Sequence, residues 1–191
     1  MPSASFKLYL AGPEVFLPDA RAILDAKAAL TRAYGFEPIC PGDLAIPPAP
    51  TKHQFGLNIS EIDESFMNRA DGIIANLTPF RGIAADPGTV FELGYMCGAG
   101  KIVACYTNIA DSHFKRSADF YAGAVHLAED GRKRAPDGTM LEDFEMIENL
   151  MLHGGVERRG GPVCVHAAEP DRLWTDFTAF EQCLKVLAAK G

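Results

Sequence analysis

Three acidic side chains stand where the pattern of the chain changes between helix and strand. Asp71 opens the apolar run DGIIANL (71–77), Asp86 precedes Pro87, and Glu92 falls inside GTVFELGY (88–95). Glu92 is flanked by Val90, Phe91, Leu93 and Tyr95. That setting draws its carboxylate toward apolar surroundings, where an acid is costly unless hydrogen-bonded or employed. Paired carboxylates can protonate a leaving group, or attack and stabilise a carbon that reacts through a cation. Each acid also has a plain structural role. Asp86 before a proline suits a helix N-cap, Asp71 a turn after a helix, and Glu92 an acid on a solvated face that complements the helix dipole. Pattern alone leaves both readings open, with more functional weight on Glu92.

The neighbouring GYMCGAGK (94–101) has the glycines and lysine of a phosphate loop but not its order. Five residues separate Gly94 from Gly100, and Ile102 follows the lysine. A Walker loop needs four between its glycines, a Ser or Thr after the lysine, and a strand before it. The segment reads instead as a helix C-cap leading into a strand. The sequon Asn58-Ile59-Ser60 falls on a predicted helix and carries no functional reading.

Elements that would position the acids follow from periodicity. FKLYLAG (6–12) is a first strand, and LPDARAILDAKAALTRAYG (17–35) a helix with apolar residues at helical spacing. FEPIC (36–40) is a second strand whose proline suits an edge. Residues 41–51 carry four prolines and form a loop. A helix over 53–70 presents Phe55, Ile59, Ile62 and Phe66 on one face. The nearly unbroken apolar run 71–77 suits a buried parallel strand. A helix over 87–98, a strand over 101–107, a short helix near 142–152, a strand near 162–166 and a helix over 175–189 complete the order. Residues 108–142 have the weakest pattern, and 129–139 read as a mobile loop or lid. Alternating strands and helices predict an α/β, doubly wound, five-stranded parallel sheet in the flavodoxin-like order 2-1-3-4-5, with 1–191 as one domain and a variable region at about 108–142. Ligands in such folds sit beyond the carboxyl ends of the strands.

The 191 residues carry a net charge of −7, which excludes the basic footprint of a nucleic-acid polymer binder. No apolar stretch reaches membrane-spanning length, and the N-terminus has no signal-type core, so a cytoplasmic protein is expected. The five cysteines (Cys40, Cys97, Cys105, Cys164, Cys183) form no CxxC pair and read as free thiols. The scattered histidines give no metal spacing, so neither metal nor cofactor is expected.

YLAGPEVF (9–16), ADGIIANLTPFRG (70–82), DPGTVFELGY (86–95) and ENLML (148–152), in that order, resemble the nucleoside 2-deoxyribosyltransferase family, and are closest to its purine-preferring branch. The resemblance implies the same flavodoxin-like fold. It implies that Glu92 attacks the anomeric carbon, that Asp71 and Asp86 bind and help protonate the base, and that Tyr9 holds the nucleophile by a hydrogen bond. Gly12, Phe16, Pro79, Phe80, Arg81 and Gly88 are implied in substrate binding. Met151 is implied in substrate binding too, and Asn149 is implied to reach a neighbouring subunit's site, which makes the protein a homo-oligomer acting on deoxynucleosides and free nucleobases. The long, charged 108–142 region and the chain beyond ENLML depart from the family's compact pattern, so no role is carried over to a terminal carboxylate. Two other outcomes stay open: a nucleoside or nucleotide N-glycoside hydrolase that uses the same residues with water as acceptor, and a non-catalytic nucleoside-binding module, which would not need Glu92, Asp86, Tyr9 and Asn149 together. In the loop after strand one, Glu14 and Asp19 read as added negative charge, which favours a free nucleoside over a nucleotide.

Overall fold

The computed structural model describes residues 5–190; Gly191 and residues 1–4, part of the N-terminal stretch behind the cytoplasmic expectation, lie outside the described residues. Strand β1 (Lys7–Ala11) runs into a 3-10 turn (Pro13–Phe16) and helix α1 (Ala20–Ala33), then β2 (Glu37–Ile39), α2 (Lys52–Arg69) and β3 (Gly72–Asn76). Helix α3 (Pro87–Gly98), β4 (Ile102–Thr107) and α4 (His113–Phe120) follow. An antiparallel pair, β5 (His126–Leu127) and β6 (Lys133–Arg134), precedes α5 (Leu150–Glu157), β7 (Val163–Val165) and α6 (Thr178–Ala188). The main sheet is parallel throughout in the order β2-β1-β3-β4-β7, the predicted flavodoxin-like arrangement. Pro38 lies in the edge strand β2, where a missing N–H costs least.

Alternate residues of each strand feed two cores. Tyr9, Ile73, Ala75, Val103 and Cys105 pack with Phe66 and Met67 of α2, Leu93 and Met96 of α3, and Val156 of α5. Leu8, Leu10, Ile74, Ala104 and Tyr106 pack with Ala28 of α1 and with Phe180, Cys183 and Leu184 of α6. Burial on both faces explains why β3 is apolar with no polar alternation. Cys40, Cys105, Cys164 and Cys183 are buried free thiols, and Cys97 is free and half-buried.

Two expectations change. The helix expected near 142–152 begins only at Leu150, because Asn149 is its N-cap, accepting from Met151 N at 3.0 Å. Before it the chain is held out of helix: Met146 O accepts from His113 N, and the Glu148 side chain is buried. Helix α5 also contains Gly154 and Gly155, which weaken any helical signal. The 108–142 region is not irregular throughout, since it holds α4, capped by Ser112, and the β5–β6 pair.

The reading of Glu14 as loop charge is corrected as well. Glu14 is 1% exposed, and its Oε1 accepts from Lys27 Nζ at 2.8 Å, Asn76 Nδ2 at 3.0 Å and Tyr106 Oη at 3.1 Å. Burial works to raise its carboxyl, but the Lys27 ammonium and these donors outweigh burial and hold it below the ordinary range. Its charge is neutralised inside the fold, so it gives no argument against a phosphate. A Cβ on Gly12 would lie 1.9 Å from Glu14 Oε2, so the close approach of this carboxylate requires glycine there.

Removing one member of such a pair strands a buried charge, at about 3–5 kcal/mol. Lys27→Met is expected to lower the melting temperature by roughly 10 °C. Lys27→Met combined with Glu14→Gln should recover part of that loss, which paired thermal denaturation curves would measure.

Candidate active site

Tyr9 lies in the middle of β1, fully buried, and its hydroxyl donates to Glu92 Oε1 at 2.6 Å. Glu92 reaches this point because α3 begins at Asp86. Asp86 Oδ2 accepts from Thr89 N at 3.0 Å, Pro87 takes the first helical position, and the next turn turns Glu92 toward the sheet. Burial, with the Glu92 carboxylate close by, drives the Tyr9 phenol far above its usual range, so it remains a donor. Burial pushes Glu92 up to about 7; the Tyr9 hydrogen bond opposes the rise, while Asp63, Asp86 and Glu14 add to it. The carboxylate is poised to change protonation near neutrality, as nucleophiles and acid–base groups do.

Asp63 is the acid that sequence reasoning missed. It projects from α2, half-buried, with its carboxyl raised by burial, and it makes no hydrogen bond or ion pair among the described residues. A cleft of about 270 Å³ is lined by Glu92, Asp63, Ser60, Met67, Gly88 and Phe91, and none of the described residues lining it is basic. The missed signal was an acid on an apolar helix stripe: Asp63 follows Ile59 by one turn and precedes Phe66 by another.

Asp71 does not join this group. It precedes a parallel strand and so lies at the amino end, opposite the edge where ligands bind. Its Oδ2 accepts from Lys7 N at 2.8 Å and its backbone carbonyl accepts from Ile102 N, a structural tie between neighbouring strands. Asp86 keeps both readings, since it caps α3 and its charge also acts on Glu92.

A second cavity, about 480 Å³, adjoins the first through Ile59 and Asp63. Val15 and Phe16 form one wall, Leu44 and Ile46 of the proline-rich loop another. At its rim Phe16 stacks on Phe80 at 5.6 Å, with the Arg81 guanidinium 4.8 and 4.6 Å from the two rings. Arg81 holds this place with φ of 56°, an uncommon value for a residue with a side chain. Pro79, half-buried, starts this loop, and a Cβ on Gly88 would come within 3.0 Å of Asp86 Oδ2.

Asn149 and Met151 line neither cavity. Asn149 Nδ2 donates to Glu142 at 3.1 Å, and Met151 is 72% exposed. A buried ion pair nevertheless connects Asn149 to the loop before Asp86. Arg116 Nη2 donates to Glu148 Oε2 at 3.0 Å and Arg116 Nε to Ile83 O at 2.8 Å, while Glu148 accepts from Ala85 N and Asn149 N. The residue before Asp86 and the cap of α5 are thereby fastened to one carboxylate.

At the carboxyl edge of this doubly wound parallel sheet, the fold brings a tyrosine-bound carboxylate and further acids together in one cleft. The profile of the family described as Nucleoside 2-deoxyribosyltransferase matches residues 8–151. The chain belongs to the nucleoside 2-deoxyribosyltransferase family. An uncharacterised protein of Schizosaccharomyces pombe is 29% identical over 96% of this chain and 89% of its own length. Among solved structures, a 2-deoxyribosyltransferase from Leishmania mexicana superposes with a TM-score of 0.64 at 27% identity, covering 94% of this chain and 97% of that one. A conserved protein from Enterococcus faecalis shares the fold, with a TM-score of 0.57 at 19% identity, over 96% and 99% of the two chains.

A buried acid whose folded pKa exceeds its unfolded value gives stability that is complete below the unfolded value and is lost as pH rises through the folded one. For Glu92 that window runs from 4.5 to about 7. Glu92→Gln, neutral at all pH, is therefore expected to be more stable than the parent at pH 8 by about 2–3 kcal/mol. The difference should vanish at pH 4, and urea unfolding at both pH values measures it.

Proposed function

We propose that the protein transfers a 2-deoxyribosyl group between nucleobases, purines foremost, with Glu92 as the nucleophile. The observation that carries this reading is the 2.6 Å hydrogen bond from Tyr9 to a half-buried Glu92 in an acidic cleft. Glu92 attacks the anomeric carbon, the C1′–N bond breaks, and its electron pair leaves with the base, which takes a proton from a carboxyl group. Asp63, raised by burial, and Asp86 are the acids near enough to supply it. The glycosyl–Glu92 ester then meets a second base, whose nitrogen attacks C1′ and returns the electron pair to Glu92 as its proton passes back to the acid. Two displacements retain configuration. Tyr9 holds Glu92 toward the sugar and steadies its ionised form.

Phe16, Phe80 and Arg81 border the base, while Gly12 and Gly88 let backbone and carboxylates come close. Asn149 and exposed Met151 complete a neighbouring subunit's site, so the working unit is a homo-oligomer. The name of the Leishmania mexicana relative, a 2-deoxyribosyltransferase, agrees with this activity. The lack of basic residues among those lining the Glu92 cleft favours an uncharged nucleoside over a nucleotide.

Incubation with deoxyadenosine, with and without a second free base, tests the reaction by chromatography. New deoxynucleoside formed only with the base supports transfer. Free deoxyribose in its place makes the protein a hydrolase, and no cleavage makes it a binding module. Glu92→Ala should lower transfer by roughly a thousandfold or more. The acid limb of kcat/KM should titrate near pH 7, because attack needs ionised Glu92. Asp63→Asn should depress kcat at least tenfold, whereas Asp71→Asn should stay within about twofold of the parent.

Co-expressed Glu92→Ala and Asn149→Ala chains test the shared site. Hybrid oligomers contain one intact site and should exceed the summed activity of the two variants. Activity equal to that sum would place Asn149 in its own chain's site.

A further inference from the structure

The larger cavity is bigger than a bare nucleobase needs and is lined in an unusual way. Its volume of about 480 Å³ falls in the roughly 300–1,000 Å³ range of pockets for drug-sized ligands. Val15, Leu24, Leu44, Ile46 and Ile62 supply its depth. Among the described residues, two charged side chains line it, Arg21 and Asp63. Arg21 is already engaged, with Nε on Asp25 at 2.9 Å and Nη1 on Asp43 at 3.3 Å. Asp63 stands at the junction with the Glu92 cleft, where it can meet a ring nitrogen, and beyond it the described walls offer little to pair with a polar edge.

Resting on the transfer reaction above, we propose that the base subsite is built for a nucleobase bearing an apolar substituent on the edge away from its glycosidic nitrogen, such as an N6-alkylated or N6-arylated adenine. With the sugar carbon at Glu92 and the ring beside Asp63, the edge of a purine away from the sugar extends into the cavity that Leu44 and Ile46 line. An oxo or amino group placed there loses water without gaining a partner. An apolar group gains from burial, about fourfold in affinity for each methylene removed from water. The acceptor's ring N–H still forms the new C1′–N bond and releases its proton as before, so the substituent changes selection and leaves the chemistry alone.

The test is calorimetric titration of the whole protein with adenine, N6-benzyladenine and hypoxanthine, followed by use of the same bases as acceptors. N6-benzyladenine should bind at least tenfold more tightly than adenine, with hypoxanthine weakest. In the Leu44→Asn/Ile46→Asn variant the ratio of benzyladenine to adenine affinity should fall at least fivefold. The ratio is read within each protein, so a general loss of stability does not imitate the result. Equal or weaker binding of N6-benzyladenine, binding of no base, or a ratio unchanged in the variant overturns the proposal. Tight binding of N6-benzyladenine without transfer to any base overturns the transferase reading and leaves the selection standing. Transfer to adenine with N6-benzyladenine excluded does the reverse.

Discussion

The ligand edge of this sheet is assembled around a charge pair that water does not reach. Glu14 Oε1 gathers Lys27 of α1, Asn76 at the end of β3 and Tyr106 of β4 onto one oxygen, and its other oxygen lies against Gly12 at the end of β1. Four elements that must meet above the sheet are thus tied to one carboxylate. Charges in such a place are held by geometry, since an imperfect arrangement would not offset their desolvation. The turn that follows β1 is fixed by this pair, and Val15 and Phe16, the next residues along, become one wall of the larger cavity.

A second buried pair repeats the device on the other side of the site. Arg116 and Glu148 bind the loop before Asp86 to the cap of α5. Between the two anchors lies Glu92, an acid with only partial compensation: one strong donor, the Tyr9 hydroxyl, set against burial and neighbouring acids. Glu14, deeper in the fold, is held ionised by a lysine, whereas Glu92 has no cation partner among the described residues and is pushed up to about 7. The contrast follows from what faces each side chain. It separates an acid that builds the frame from one available to react.

Much of this was legible in the sequence. Strand order followed from alternation, and α3 was bounded correctly because Asp86-Pro87 and the following glycines mark both ends. The family motifs placed Tyr9 and Glu92 in the same site although they are distant in the chain, and they meet in the structure. Where the reading failed, local pattern had no access to direction or burial. The family resemblance implied Asp71 as a base-binding acid, yet it stands just before β3, at the amino end of a parallel strand. Asp63 stood unnamed on a helix described only by its apolar face, with Glu61 and Glu64 beside it giving no local sign of burial. Glu14 was counted as surface charge because its partner, Lys27, lies a helix away. Helix α5 was displaced because its start is set by the contacts of Asn149 and Glu148, which involve distant residues.

The aromatic rim carries one more consequence. The chain has a single tryptophan, Trp174, and its ring meets Phe80 edge-on at 5.8 Å, while Phe80 stacks on Phe16, a wall of the larger cavity. An indole at the end of this aromatic relay is placed to register a shift of Phe80 passed on from Phe16. Indole emission comes from that one place, so the rim of the larger cavity carries a built-in optical probe and needs no label.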